Sequence, residues 1–469
     1  MPAPRDPFAV IDSVLMTAPL DRTLWGISVI DQSTGAVLYA HNQHRHFIPA
    51  SNTKLVVAAV ALDLLGPQWR YETPVFSVER GDSLAPDLLI AGRGDPTWSR
   101  RFHAAGTVPL DSIVVMASKA GLRNVGDIIV DATWFDDAAV HPTWEISDLP
   151  WSYAPPVDAL AIDEGTFRII VSPAASTGAP ANIAAASPYT QPFTSSIVTD
   201  TAGARTSIGA DYMQRSDSVV LTGSIGLRSP PDTSDLAVIS PAHSAALALR
   251  RGLEHAGIAV AGEVRVLRDS TAVLAYRAMH NDRIGEIGRI RSVSLDSVVA
   301  AVLQPSQNWI AEQLLKTIAA NIEDEGSWGA GVTLERRFLI DRAGIDSMAF
   351  FLRDASGLSV QNLLTPAATV ALLEFARSQT WGRQFRAALP APGMNESTLE
   401  NRLSGLEDRL RAKTGTITHV NSLAGYLETA DGRMLTLSIL TNASGVASAA
   451  VRRGIDRIVE ALATPRSKP

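Results

Sequence analysis

The two ends of this chain read alike, and that constrains the fold more than any other feature. Near the start, Asp6-Pro7 offers a capping side chain followed by proline at a first helical position. Phe8, Ile11, Val14 and Leu15 then recur on one helical face. Leu24 to Val29 and Ala36 to Ala40 follow as strand patterns joined by Gln32-Ser33-Thr34-Gly35, a hairpin. Near the end, Ala424 to Glu428 and Met434 to Leu440 are again strand patterns, joined through the turn signal Asp431-Gly432, and Val446 to Leu462 closes as an amphipathic helix. Two strands alone cannot bury an apolar face. The natural solution is one antiparallel sheet built from both termini, with helices packed on it.

Between about Glu72 and Leu274 the texture changes. Short β-like stretches (Ile128 to Asp131, Arg168 to Val171, Ser218 to Gly223) alternate with Gly, Pro, Ser and Thr clusters such as Ser172 to Ser187. A chain of 469 residues exceeds one compact core, so two to four domains are expected. The middle region reads as one or two inserted β-rich modules, and no internal repeat recurs at a fixed period.

Three short strings carry chemistry: Ser51-Asn52-Thr53-Lys54, Ser306-Gln307-Asn308 and Lys413-Thr414-Gly415. Pro49-Ala50 leads into a helix expected from about Ser51 to Leu65, with Leu55, Ala58, Leu62 and Leu65 at helical spacing. Residues three apart share a helical face, so Ser51 and Lys54 can touch, and the first turn's positive dipole end favours a developing alkoxide. A hydroxyl with an adjacent base is the general recipe for covalent acyl transfer. Ser306-Gln307-Asn308 opens a helix through Leu315, and Lys413 to Thr416 lead into a strand, where glycine permits close approach of a ligand. Read singly, each string has a plain structural alternative: a helix cap for the two serines, a β-turn for Lys413 to Gly415.

Lysine usage sharpens the reading. Of 41 basic residues only Lys54, Lys119, Lys316, Lys413 and Lys468 are lysines; the rest are arginines. Arginine stays protonated and cannot take a proton from serine, whereas a partly buried lysine can. Lysine nevertheless stands at both positions where an amine is wanted.

Composition excludes several classes. The net charge of −7, with no Lys/Arg cluster of useful length, argues against nucleic acid as a partner. Cysteine is absent, which removes disulfides, zinc thiolates and cysteine nucleophiles. The longest apolar run, Leu55 to Leu62, is too short to span a bilayer, so at most peripheral membrane contact is expected. Met1 to Asp6 carry no charged-then-apolar export pattern. His41, His44 and His46 fit no strong metal-ligand spacing and read as a solvated loop.

The ordered triple matches the S-x-x-K, S-x-N and K-T-G elements of penicillin-binding proteins and serine β-lactamases. The wider sequence resembles the type-4 penicillin-binding proteins, serine D-alanyl-D-alanine carboxypeptidases and endopeptidases. Phe47 to Leu55 resembles that family's nucleophile region, and Gly92 to Thr97 its G-x-G-D-P-T segment. Gly126 to Asp131 and Tyr153 to Leu160 are similar to later parts of its insertion. Asp354 to Ser359 resembles its D-G-S-G-L-S element, followed by Asn362 and Thr365-Pro366, and Lys413 through Tyr426 its K-T-G-T strand with the L-A-G-Y continuation.

The resemblance implies an α/β (α+β) transpeptidase-like domain, residues 1–73 and 275–469, with a five-stranded antiparallel sheet flanked by helices. Inserted into it would be a second domain, 74–164 and 236–274, and a third, β-rich one, 165–235. It further implies that Ser51 attacks the penultimate D-Ala carbonyl with Lys54 as base, and that Ser306 relays a proton to the leaving amine, helped by Lys413. Asn308 would bind the substrate peptide, and Thr414, Gly415 and Thr416 would form the carboxylate-binding strand. Backbone N–H groups of Ser51 and Thr416 would supply the oxyanion hole. Asp148 would lie near the substrate's amino end. Peptidoglycan stem peptides would be the substrate, β-lactams the covalent inhibitors, and the periplasm or cell exterior the location; no metal or organic cofactor is implied.

Gln307 replaces the family's usual Asp, Ala355 a Gly, and Val360 an Arg that can line the substrate cleft. A serine β-lactamase shares the three motifs, but the E-x-x-L-N string of the class A enzymes is missing here. A silent penicillin-binding scaffold or sensor is the other alternative, against which the intact lysines speak.

Overall fold

The computed structural model describes residues 6–81, 85–185, 192–212 and 218–464. The chain forms two compact units: residues 1–69, 294–319 and 328–469 make the first, and 70–293 with 320–327 the second.

The first unit is built on the sheet that the termini foreshadow. Its strands run in the order Leu410–Ile417, Val420–Glu428, Met434–Asn442, Leu24–Asp31, Val37–His41, each neighbour antiparallel. Strand 24–31 pairs with 434–442 over its whole length, Leu24 opposite Asn442 and Asp31 opposite Leu435. Alternation sends Trp25, Ile27, Val29, Leu423, Leu427, Leu435, Leu437 and Ile439 to one face. There they meet Ile11 and Val14 of helix Pro7–Met16 and Val451, Ile455 and Val459 of helix Ser448–Ala463. Asp6 caps the first of these helices by accepting from Phe8 N at 3.2 Å.

On the other side of the sheet packs helix Pro366–Ser378, and helix Lys54–Leu64 packs among helices Leu295–Leu303, Trp328–Arg337 and Gly382–Ala388. Helix Lys54–Leu64 is buried all round, Leu55 through Ala61 being fully inaccessible, so it behaves as a core helix rather than an amphipathic surface one. The expected helix start at Ser51 differs in form: Ala50–Thr53 make a 3₁₀ turn that feeds the helix. Lys413, expected ahead of a strand, lies within the edge strand Leu410–Ile417.

The second unit carries a five-stranded mixed sheet in the order Val264–Leu267, Ile128–Asp131, Asp87–Ala91, Glu72–Val78, Ile284–Arg291. The expected strand at 128–131 is its second member, parallel to both neighbours. Helices Val108–Lys119 and Pro241–His255 belong to this unit, as do helix Ser270–His280 and the edge strand after it. Two smaller sheets share a core of Phe167, Ile169, Val171, Ile197, Val219, Leu221 and Leu236. The expected strand at 168–171 falls within Thr166–Ser172, and the one expected at 218–223 overlaps Val219–Gly226. Of the Ser172 to Ser187 cluster, 182–185 is a strand, while residues 186 and 187 lie outside the described residues. Nor is Ser218 itself part of a strand.

Candidate active site

The 3₁₀ turn ahead of helix Lys54–Leu64 brings Ser51 and Lys54 onto one face, with Lys54 Nζ 2.8 Å from Ser51 Oγ. Lys54 Nζ also donates to Asn308 Oδ1 at 2.7 Å and to the Ser356 carbonyl at 2.6 Å. As an ammonium, all three hydrogens are used. As an amine, two hydrogens remain for two groups that can only accept, so the lone pair can face only the Ser51 hydroxyl. The neighbours thus aim the Lys54 lone pair at the Ser51 hydroxyl.

Burial is what lets the Lys54 amine lose its proton at ordinary pH. The side chain is fully inaccessible, and desolvation brings its pKa down to about 7 against the opposing pull of Glu312 and Asp354. Lys413 is also fully buried, and burial together with the nearby Lys54 holds it well below the usual lysine range. Lys316 is the third buried lysine, its Nζ 3.9 Å from the centre of the Trp328 ring.

The second motif sits between the other two. Asn308 opens helix Asn308–Ile322 and binds Lys54, while Ser306 Oγ accepts from Lys413 Nζ at 2.7 Å. Ser306 has φ +67°, a left-handed conformation that costs a non-glycine residue energy and must be held by its surroundings. Gln307 Oε1 accepts from Ile310 N at 3.4 Å, so it occupies the helix-capping position that Asp often takes.

Gly415 closes the set. A Cβ there would fall 2.9 Å from both Pro49 O and Ser51 N and 2.3 Å from Ser422 Oγ. The close approach expected of this glycine is therefore made by the Ser51 turn, which Ser422 also grips by donating to Pro49 O at 2.8 Å. Lys413 Nζ donates further to Thr414 O at 2.7 Å. The Thr414 hydroxyl lies 2.7 Å from Thr398 Oγ1, and exposed Thr416 has its Oγ1 3.5 Å from Asn421 Oδ1.

Asp148 belongs to the second unit. It ends the short turn Ile146–Asp148 and accepts from Tyr153 OH at 3.0 Å. His46 lies with Nε2 2.9 Å from the Met348 carbonyl.

What sequence reasoning missed is the layer behind Lys54. Asp354 accepts from Gly357 N at 2.9 Å, Ser359 N at 2.7 Å and Asn362 Nδ2 at 2.6 Å, tying segment 354–362 into a compact loop. Glu312 accepts from Ser356 N at 2.7 Å, Ala355 N at 3.2 Å and Trp328 Nε1 at 2.7 Å. The D-A-S-G-L-S string was visible in the sequence; its task of presenting the Ser356 carbonyl to Lys54 was not. The signal for Glu312 was its place four residues after Asn308, hence on the same helical face. Ala355 does not take a left-handed φ, so the usual glycine is not required there. Val360 is 43 % exposed.

A serine, a buried amine aimed at it, and a second serine-lysine pair on a sheet edge define an acyl-transfer site of the penicillin-recognising class. Residues 8–463 match the D-Ala-D-Ala carboxypeptidase 3 (S13) family, and the chain belongs to that family of serine-type D-alanyl-D-alanine carboxypeptidases. It is 32% identical to the D-alanyl-D-alanine carboxypeptidase of Actinomadura sp. over 95% of this chain and 82% of that protein. Its fold is similar to the crystal structure of penicillin-binding protein 4 from Haemophilus influenzae, with a TM-score of 0.84, 20% identity and coverage of 97% and 99% of the two chains. The same protein complexed with a β-lactam gives a TM-score of 0.78 at 20% identity, over 96% and 97%.

Proposed function

We propose that Ser51 is the nucleophile and Lys54 its general base in cleavage of the terminal D-Ala-D-Ala bond of peptidoglycan stem peptides. The observation that carries this reading is the 2.8 Å contact between Ser51 Oγ and a fully buried Lys54 whose other two partners are acceptors. Lys54 takes the hydroxyl proton as Oγ bonds to the penultimate D-Ala carbonyl carbon. Ser306, hydrogen-bonded to Lys413, passes a proton to the leaving amine as the C–N bond breaks. Water then hydrolyses the ester and restores Ser51.

Asn308 has the second task of binding the substrate peptide, and the edge strand at Thr414, Gly415 and Thr416 holds the terminal carboxylate. Backbone N–H groups of Ser51 and Thr416 serve as the oxyanion hole, where losing one donor typically costs about 2.7–4 kcal/mol. Asp148 is assigned to the amino end of the substrate. A stem-peptide substrate places the activity outside the cytoplasm, in the periplasm or beyond. Among the described residues no helix is long and apolar enough to cross a membrane. β-Lactams, which mimic the acyl donor, would acylate Ser51; the β-lactam complex of the similarly folded Haemophilus protein supports this. The inserted region is read as two domains, 74–164 with 236–274, and 165–235. The smaller sheets of the second unit support the latter.

The test is D-alanine release from a short peptide ending in D-Ala-D-Ala, with Ser51→Ala beside the wild type. Release that disappears in the variant is expected. Release that persists in a folded Ser51→Ala protein would overturn the assignment of the nucleophile.

A further inference from the structure

Lys54 depends on a carbonyl it could not find by itself. Ser356 belongs to the 354–362 loop, and its C=O must be held against the Lys54 amine while the loop's own N–H groups are satisfied inside the protein. Asp354 satisfies the far side of the loop, through Gly357 N and Ser359 N. The near side, Ala355 N and Ser356 N, ends on one fully buried carboxylate, that of Glu312.

Glu312 lies one helical turn beyond Asn308 on helix Asn308–Ile322. That helix therefore grips Lys54 twice: directly, through Asn308 Oδ1, and indirectly, through the Glu312–Ser356 link. A single residue, Ser356, donates its N–H to Glu312 at 2.7 Å and accepts from Lys54 Nζ at 2.6 Å with its carbonyl. Trp328 Nε1, at 2.7 Å from Glu312 Oε2, fixes the carboxylate from helix Trp328–Arg337.

We infer that Glu312 is a positioning residue for the general base: it anchors Ala355 and Ser356 so that the Ser356 carbonyl fixes the Lys54 amine. The inference rests on the assignment of Lys54 as base. Glu312 is fully buried. It acts through a backbone peptide, and a carboxylate suits the task because its two oxygens accept three donors without offering a hydrogen. An amide would set its own N–H groups against at least one of the three.

The electrostatic surroundings make this a sensitive arrangement. Facing Lys54 and Glu312 are Asp354 on the loop, Glu335 on helix Trp328–Arg337, Lys413 on the edge strand and Lys316 on Glu312's own helix. Glu312 and Asp354 both favour the charged form of Lys54, and burial opposes them. Burial and Asp354 raise the pKa of Glu312 itself to about 7, so the charge it lends Lys54 is fully present only above that pH, and removing it moves the ionisation of Lys54 to lower pH.

The experiment compares wild type, Glu312→Gln, Glu312→Asp and Lys54→Ala by kcat/KM for D-alanine release from a D-Ala-D-Ala peptide between pH 5 and 9, with a melting curve for each. Glu312→Gln is expected to lower the plateau roughly ten- to hundredfold, the scale of a small misplacement of a reacting group. Its acid limb should shift to lower pH. Glu312→Asp, shorter by one methylene but still charged, should lose plateau rate and keep the wild-type limb. If Glu312→Gln does not fold, Glu312→Asp decides: a wild-type plateau there overturns the inference. A folded Glu312→Gln with wild-type plateau and limb overturns it equally, as does a lowered melting temperature with unchanged kinetics. Lys54→Ala separates the two readings. If it retains wild-type activity, the base assignment fails; if it is inactive while the Glu312 variants are normal, the base stands and the role of Glu312 falls.

Discussion

Gly357 lies so close to Ala50 that a methyl group on its Cα would fall 1.9 Å from the Ala50 carbonyl oxygen. Both residues have left-handed backbones, Gly357 at φ +79° and Ala50 at φ +48°. One residue after Ala50 comes Ser51, and one residue before Gly357 comes the carbonyl that accepts from Lys54 Nζ. The loop and the nucleophile turn are therefore locked together by contact between main chains, and glycine is the residue that allows it.

Gly357→Ala should consequently damage both stability and catalysis. The left-handed φ alone costs about 1–3 kcal/mol, and the clash with backbone cannot be relieved by a rotamer change. A lowered melting temperature with D-alanine release reduced by more than the unfolded fraction explains is the expected pair of results. Wild-type activity in the folded fraction would separate this contact from the site.

Lys54→Arg preserves charge and removes the neutral base, since a guanidinium does not deprotonate in proteins. Loss of the covalent adduct with a β-lactam, seen by intact-protein mass spectrometry, is expected even where the variant remains folded. An adduct formed at the wild-type rate would deny Lys54 its role.

The pH profile follows from the burial of Lys54. In the proposed mechanism the amine is the active form, and its pKa of about 7 lies far below the usual lysine value of about 10.4. Activity should climb as pH rises toward about 7 and flatten above it. A rise that continued tenfold per unit past pH 8.5 would mean an unshifted amine. The same shift acts on stability: between the folded and unfolded values the unfolded chain binds the extra proton, so this group's contribution to stability grows with pH across that window.

Glu335 shows the opposite sign. It is fully buried, neither carboxyl oxygen has a hydrogen-bond partner, and burial with Glu312 and Asp354 nearby raises its pKa well above the usual range. The folded state keeps a proton that the unfolded state has lost, so its contribution to stability falls as pH rises above the ordinary carboxylate value. Glu335→Gln removes that titration. Its stability relative to wild type should increase from pH 5 to pH 8, because only the wild type loses stability to this titration over that range. Thermal or urea melts at the two pH values measure it, and a constant difference would show that Glu335 does not titrate with folding.

Local chemistry was legible in the sequence. The Ser51–Lys54 pair needs only three-residue spacing and a helical turn, and the capped helix at Asp6 and the hairpin at Asp431-Gly432 depend on neighbours in the chain. The sheet from both termini followed from apolar alternation with a period of two, which survives any connection length. The 3₁₀ start at Ala50 was not legible, because Gly415 and Gly357 of distant segments press on that turn.

Sequence by itself determined which groups could do the chemistry: serines, amide and lysines, in order, with lysine kept where arginine could not serve. Tertiary structure alone decided what those groups are. Burial, which no local string encodes, brings the Lys54 amine to a pKa of about 7. Contacts spanning 44 residues, as from Glu312 to Ser356, or 107, as from Ser306 to Lys413, exist only once the chain has closed on itself. Residue type fixes the available protons and lone pairs; only the packed interior fixes where they point and how strongly they are held.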